Sequence, residues 1–282
     1  MPRVQNNLLI AASGTGGHIF PALTIAEDLD KHWDITWLGI KKRSEIKLVP
    51  KKYNLLTLGI SSPSGSKFLL LIKYLLILLS TFRIIKILHR RKINLVFTTG
   101  GYISAPTIIA AKILKIPVIL HESNLVPGMV TKIFGNYCDL VLTGFKETNS
   151  YLKNCEIIFT GTPLRKQFYV SHELPKWVPT GEGPLLIIMG GSQGARGVNE
   201  IIYDNLGFLL DNNFRLIHIV GENNEVEFKN IKSENYVQIP FTTDIAALLQ
   251  NSDLVISRSG AGAINEIIQT RKPSILIPFP NS

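Results

Sequence analysis

Only two cysteines occur in the 282 residues, Cys138 and Cys155. They form no C-x-x-C pair and stand in no Cys/His cluster at ligand spacing. That argues against a disulfide framework or a structural zinc site, and it fits a reducing compartment. Long apolar runs are scarce as well. In the most hydrophobic region the longest unbroken run is six residues, Tyr74 to Leu79, where a membrane-spanning helix needs roughly 20. The opening "MPRVQNN" leads straight into a strand pattern, so no signal peptide is expected and the expected place is the cytoplasm. G-x-x-x-x-G-K-[ST] is absent, which argues against a Walker-type nucleotidase. Acids are missing from the middle of the chain. Between Ile46 and His121 there is no Asp or Glu against 12 Lys and Arg, while the rest carries 18 Lys and Arg against 21 acids. One region therefore holds the whole positive excess of +9 and points to an anionic partner.

What is present is a globular composition, 45% hydrophobic and 18% charged, able to bury sizeable cores. Apolar runs alternate with helical patterns: "NLLIAAS", "DITWLGI", "NLLTLGI", "LVFTTGG", "PVILHES", "LVLTGF" and "EIIFTGT". Continuous rather than alternating apolar strands are those of a parallel sheet covered on both faces. From Tyr151 to Pro184 the character changes, with Pro163, Pro175, Pro179, Pro184, Gly181 and Gly183 marking a connection between domains. The pattern then restarts with "LLIIMGG", "RLIHIVG", "YVQIP", "LVISRSG" and "PSILIPF". Two doubly wound α/β domains are expected, residues 1–162 and 163–282. The sequence stops at Ser282 directly after a strand, where a parallel sheet ordinarily has a covering helix, so further chain is expected.

Three glycine loops follow strands and open helices: "GTGGH" at 14–18, "TTGGYISAP" at 98–106 and "MGGSQGARG" at 189–197. Backbone N–H groups and the helix dipole converge at such places and favour an anion, although glycines also serve simply to allow tight turns. Ile19 takes the position where G-x-G-x-x-G needs its last glycine, which weakens a dinucleotide reading. Asp28 and Asp30 form a D-x-D within a helical pattern, where i and i+2 diverge and a solvated face is expected rather than a metal site. In "SRSGAGAINE" a strand runs into small residues, and Glu266 falls in the first turns of the next helix. Its carboxylate could accept two ribose hydroxyls or simply favour the dipole.

Taken in order, "GTGGHIFPA", "GGYISAP", "HESNLVPG", "GTPLR", "GGSQGA" and "SRSGAGAINE" resemble glycosyltransferase family 28, in its branch of bacterial enzymes that convert lipid I to lipid II. Ser123 stands where that branch usually has Gln, and Ala263 where Thr is common. The resemblance implies a GT-B fold of two Rossmann-like domains facing a cleft, and no cofactor or metal. It implies that Ser192 and Arg165 hold the UDP diphosphate, with the planar guanidinium suited to phosphate oxygens. Ala261, Gly262 and Ala263 would approach the diphosphate and ribose by backbone, Glu266 would take the ribose hydroxyls, and Thr242 would lie beside the uracil. Thr15, Gly16, Gly17 and Asn124 would face the transferred sugar and the acceptor diphosphate. Inverting transfer to the acceptor's C4 hydroxyl needs a base. His18 is the candidate, with His121 and Glu122 as rivals.

Residues 67–92 pattern as a helix with a wide apolar face and a narrow polar stripe of Ser66, Lys73, Ser80, Arg83 and Arg90, edged by Lys86, Arg91 and Lys92. Such a helix can lie in a bilayer interface among anionic headgroups, with Leu75, Leu79, Phe82, Arg90 and Arg91 as contacts. It can equally pack on a sheet with its lysines reaching water. The expected function is GlcNAc transfer from UDP-GlcNAc to lipid I at the cytoplasmic face of the inner membrane. The alternatives are another family-28 lipid glycosyltransferase, a UDP-sugar epimerase, or a non-catalytic nucleotide-sugar-binding remnant. Nucleic acid is not an expected partner, because the basic region is interleaved with aliphatic residues rather than stacking aromatics.

Overall fold

Twelve apolar runs become twelve strands in a computed structural model, which describes residues 6–41, 43, 45–59, 67–191, 195–221, 231 and 233–278. Between residues 67 and 78 the only side chain described is that of Leu76. The chain divides into two compact units, Met1–Arg165 and Lys166–Ser282; the expected division lay between residues 162 and 163.

In the first unit the elements run β1 (Asn7–Ala11), α1 (Gly16–Leu29), β2 (Asp34–Ile40), α2 (Glu45–Leu48), β3 (Asn54–Leu58), α3 (Lys67–Arg90), β4 (Leu95–Thr98), α4 (Ser104–Ile113), β5 (Val118–Glu122), α5 (Met129–Phe134), β6 (Leu140–Thr143) and β7 (Ile157–Phe159). The sheet order is β3-β2-β1-β4-β5-β6-β7, and every pairing is parallel. β1 is an interior strand and is buried throughout, which is why its sequence after Asn7 is apolar on both faces. The order of winding reverses between β1 and β4, where strands begin to be added on the other side of β1. A doubly wound sheet binds ligands at the carboxyl ends of its strands beside such a switch point. The loops after β1 and β4 are "GTGGH" and "TTGGYISAP".

The second unit contains β8 (Leu185–Met189), α6 (Arg196–Asp211), β9 (Arg215–Ile219), β10 (Tyr236–Ile239), α7 (Ile245–Asn251), β11 (Leu254–Arg258), α8 (Ala261–Thr270) and β12 (Ser274–Ile277). Its order, β10-β9-β8-β11-β12, is again all parallel, with the switch between β8 and β11. Both units tie strand starts in the same way. A side chain just before one strand accepts the first N–H of its neighbour: Asn94 from Asn7 at 2.8 Å, Asp139 from Val118 at 2.8 Å and Asp253 from Leu185 at 2.7 Å. These bonds satisfy donors that the parallel ladder leaves open.

The proline-rich connection is not a free linker. Its β7 pairs with β6, and beyond Lys166 the side chains of Phe168 and Val178 are buried in the core of the second unit together with Leu185, Ile217 and Leu248. Proline and glycine there mark turns in packed chain.

Candidate functional site

At the first switch point the two glycine loops grip each other through His18. Its Nδ1 lies 2.6 Å from the carbonyl of Thr99, and Thr99 Oγ1 donates to the His18 carbonyl at 2.9 Å. A carbonyl only accepts, so Nδ1 carries the proton and the lone pair of the neutral ring is on Nε2. Gly100 and Gly101 have φ of +85° and +78°, a region that favours glycine. A Cβ on Gly100 would lie 3.7 Å from the His18 ring, so the loop after β4 passes closely over the imidazole. Below it, Thr98 Oγ1 donates to the Ala11 carbonyl at 2.7 Å and Ser104 Oγ donates to the Gly100 carbonyl at 2.5 Å. Of the GTGG residues, Gly14 has φ +107° and takes the turn, Gly16 is buried, and Thr15 and Gly17 are exposed. Gly16 makes room for a ring, since a Cβ there would lie 2.7 Å from Phe20 Cε2.

The two rival bases are engaged elsewhere. His121 is 1% exposed on β5, its Nε2 donating to the Gly161 carbonyl at 3.0 Å while Nδ1 faces Ser123 Oγ at 3.3 Å. Burial, above all, pushes its pKa below the ordinary histidine range. Ser123, one of the two departures from the family pattern, thus supplies a hydroxyl to this ring. Glu122, 3% exposed, accepts four hydrogen bonds: from Asn124 N–H at 3.0 Å, Asn124 Nδ2 at 2.8 Å, Gly128 N–H at 3.0 Å and Thr131 Oγ1 at 2.6 Å. It shapes the loop that leads into α5, and that loop leaves Asn124 at the surface.

Arg165, at the end of the first unit, lays its guanidinium over the Phe20 ring, 4.3 Å from the centroid. A cation held this way keeps its planar fork in one orientation. Sequence reading missed both Phe20 and Thr99 as supports of site residues, although each lies inside a quoted motif.

In the second unit, Gly260 caps α8, and Ala261, Gly262 and Ala263 form its first turn beside the switch point. Glu266 follows one turn later, half-buried. Thr242 Oγ1 accepts from Asp244 N–H at 3.0 Å, so this hydroxyl shapes the turn into α7. Gly191 precedes the loop with φ +86°; Ser192 lies outside the described residues.

α3 is one helix over Lys67–Arg90. Its expected polar stripe needs correction, because Ser80 is buried at 6% while Leu79 and Phe82 are exposed at 50% and 63%. The serine can face inward because its hydroxyl donates to the Leu76 carbonyl at 2.7 Å. Ile84 and Leu88 pack into the core, whereas Arg83, Lys86 and Arg90 face solvent. With the Asn54 amide oxygen facing it, Arg91 donates to β3 from Nη1 at 2.7 Å. The Leu75 side chain lies outside the described residues. Among the described residues no helix is long and apolar enough to cross a membrane.

Comparison with known proteins agrees with this layout. The model of the glycosyltransferase family 28 N-terminal domain matches residues 8–143, and that of the family 28 C-terminal domain matches residues 185–282. A protein of Prochlorococcus marinus strain MIT 9515 is 65% identical over 282 residues, which is all of this chain and 77% of the relative. It is named a UDP-N-acetylglucosamine–N-acetylmuramyl-(pentapeptide) pyrophosphoryl-undecaprenol N-acetylglucosamine transferase. A protein of the same name from Prochlorococcus marinus subsp. pastoris is 66% identical with the same coverage. Among solved structures, the Acinetobacter baumannii MurG crystal structure superposes with a TM-score of 0.72 at 24% identity, covering 99% of this chain and 80% of that one. At that identity the likeness speaks for the fold, two parallel-sheet α/β domains of GT-B type. With both domain models matched in order and whole-chain identity this high, the chain belongs to glycosyltransferase family 28.

Proposed function

We propose that the protein transfers N-acetylglucosamine from UDP-GlcNAc to the C4 hydroxyl of lipid I, forming lipid II with inversion at the anomeric carbon. The observation that carries this is 65% identity across the entire chain to a relative named for that reaction. In the reading proposed here, the lone pair on His18 Nε2 takes the proton of the C4 hydroxyl as its oxygen bonds to the anomeric carbon. The bond from that carbon to the UDP oxygen breaks, and UDP leaves with the electron pair. Arg165, seated on Phe20, and Ser192 serve the diphosphate, where the negative charge grows. Thr15, Gly16, Gly17 and Asn124 face the sugar and the acceptor. The tautomer fixed by Thr99 supports His18 over His121 and Glu122, whose polar atoms are bonded inside the fold.

Glu266 binds the ribose hydroxyls in this account, with Ala261, Gly262, Ala263 and Thr242 lining the nucleotide. A hydrogen bond to a charged group is worth about 1.5–3 kcal/mol, so Glu266→Ala weakens UDP binding roughly 10–150-fold. Titration calorimetry with UDP reads this directly. Affinity within twofold of wild type would leave Glu266 as an acid that only favours its helix.

With a lipid acceptor, the protein works in this account at the cytoplasmic face of the inner membrane as a peripheral protein. Exposed Leu79 and Phe82 beside Arg83, Lys86 and Arg90 support α3 as the docking element. Replacing Arg90 and Arg91 by Ser removes about 1 kcal/mol per charge, so binding to phosphatidylglycerol vesicles falls roughly thirtyfold. Leu79→Ser with Phe82→Ser weakens it by loss of apolar area. Folded variants that sediment with vesicles like the wild type would return α3 to an ordinary packing helix.

A further inference from the structure

Glu45 is the single acid between Asp34 and Glu122 in the sequence, and it is fully buried. It opens α2, but its carboxylate turns toward the loop after β1. Oε1 accepts from Ser13 Oγ at 2.6 Å and from the Ile40 N–H at 2.5 Å, and Oε2 accepts from the Gly14 N–H at 3.4 Å. Among the described residues no ion pair involves it. A buried carboxyl group needs hydrogen-bond partners for its oxygens, and these bonds are directional. Gly39 on β2 makes the space, since a Cβ there would lie 2.7 Å from Glu45 Cγ and 2.9 Å from Oε1. Steric room, not backbone conformation, is what requires glycine at this position.

The loop that Glu45 holds is the one that delivers His18. From Ser13 the chain turns at Gly14 into Thr15, whose carbonyl accepts the N–H groups of His18 at 3.1 Å and Ile19 at 3.2 Å. At the far end His18 is fastened to Thr99. The segment is thus clamped twice, by Glu45 at Ser13 and Gly14 and by Thr99 at His18, with exposed Thr15 and Gly17 between. An apolar side chain would fill the same space without a polar group to satisfy. What the carboxylate adds is acceptor capacity on both oxygens: Oε1 ties the end of β2 to Ser13, and Oε2 reaches the turn at Gly14.

We propose that Glu45 is a positioning residue for the transfer: through Ser13 and Gly14 it sets the loop that presents Thr15, Gly17 and His18 Nε2 to the acceptor. The proposal rests on the reaction proposed above. Glutamine at this position can keep its oxygen on Ser13 and Ile40, but it then turns an NH2 donor toward the Gly14 N–H, itself a donor, so the turn at Gly14 loses its acceptor.

The test uses the full chain with Glu45→Gln, Ser13→Ala, the pair combined, and Gly39→Ala, which displaces the carboxylate without changing it. Acceptor kcat/KM, UDP affinity, melting temperature and amide exchange over residues 13–18 are measured for each. Glu45→Gln is expected to lower kcat/KM for lipid I by about 10–100-fold and Ser13→Ala by about tenfold, since small misplacements of reacting groups have effects of that size. Gly39→Ala follows Glu45→Gln. The double variant loses less than the product of the single effects, because both act through one contact. UDP affinity stays within twofold, and exchange over residues 13–18 rises. Should Glu45→Gln not fold, Ser13→Ala carries the same test. Variants that melt lower but keep acceptor kcat/KM within twofold of wild type would make Glu45 a core residue only, as would strictly multiplicative effects. Those outcomes, with an active wild type, overturn the positioning role alone; an inactive wild type overturns the proposed reaction itself.

Discussion

Replacing His18 by alanine is expected to lower kcat by about 10²–10⁴-fold, the usual worth of a general base, while donor KM is largely spared. Three observations make this residue the one to remove. Its Nδ1–H is committed to the Thr99 carbonyl, which leaves the lone pair on Nε2. The ring is half-buried past the carboxyl end of β1, beside the switch point. His121 and Glu122 spend their polar atoms on the backbone and on Asn124, Gly128 and Thr131. Near-normal kcat with a raised acceptor KM would make His18 a binding group instead. Thr99→Ala should not reproduce the loss, because the Thr99 carbonyl that fixes the tautomer belongs to the backbone.

The second large effect is on stability in acid, and it belongs to the second unit. His218 on β9 is fully buried, with Nδ1 3.0 Å from Tyr236 Oη and Nε2 3.0 Å from Asn199 Oδ1. The cluster continues through Gln238 Nε2, which donates to Tyr203 Oη at 2.8 Å. Burial pushes the His218 pKa down to about 4, against an ordinary 6.5 in the unfolded chain. Between those values the unfolded state binds a proton that the folded state does not. The stability is therefore present above pH 6.5 and is lost as pH falls toward 4, by about 3 kcal/mol in all. Buried His121 shifts the same way in the first unit. Urea unfolding, followed by exchange of peptides from β8 to β10, should show a constant midpoint from pH 8 to 6.5 and a steady fall below. A midpoint unchanged at pH 4.5, or a His218 ring resonance titrating near 6.5, would contradict this.

Most of the fold was legible in the sequence because parallel strands covered on both faces leave an unambiguous trace. Apart from Asn7, "NLLIA" and "LLIIM" are apolar at every position, and they become the fully buried β1 and β8. The site loops were legible for a related reason: small residues at strand ends are required where a backbone must turn and stay accessible. What escaped was long-range. Nothing near Glu45 announces that its carboxylate reaches 31 positions back to Gly14; its isolation among basic residues was the only signal. The α3 stripe was misjudged at Ser80 because helical periodicity treats serine as polar, while its hydroxyl can be satisfied within its own helix. The connection after Tyr151 was legible as prolines and glycines, but its packing into the second core depends on Phe168 and Val178 meeting partners far along the chain.

The most direct measurement is transfer itself. The protein is incubated with radiolabelled UDP-GlcNAc and lipid I in phosphatidylglycerol vesicles, and both the lipid fraction and free UDP are followed. The account predicts that label enters the lipid in a β linkage to the C4 oxygen, one UDP is released per sugar transferred, and His18→Ala abolishes nearly all of it. Labelled diacylglycerol, UDP released without label in lipid, or undiminished transfer by the His18 variant would contradict it.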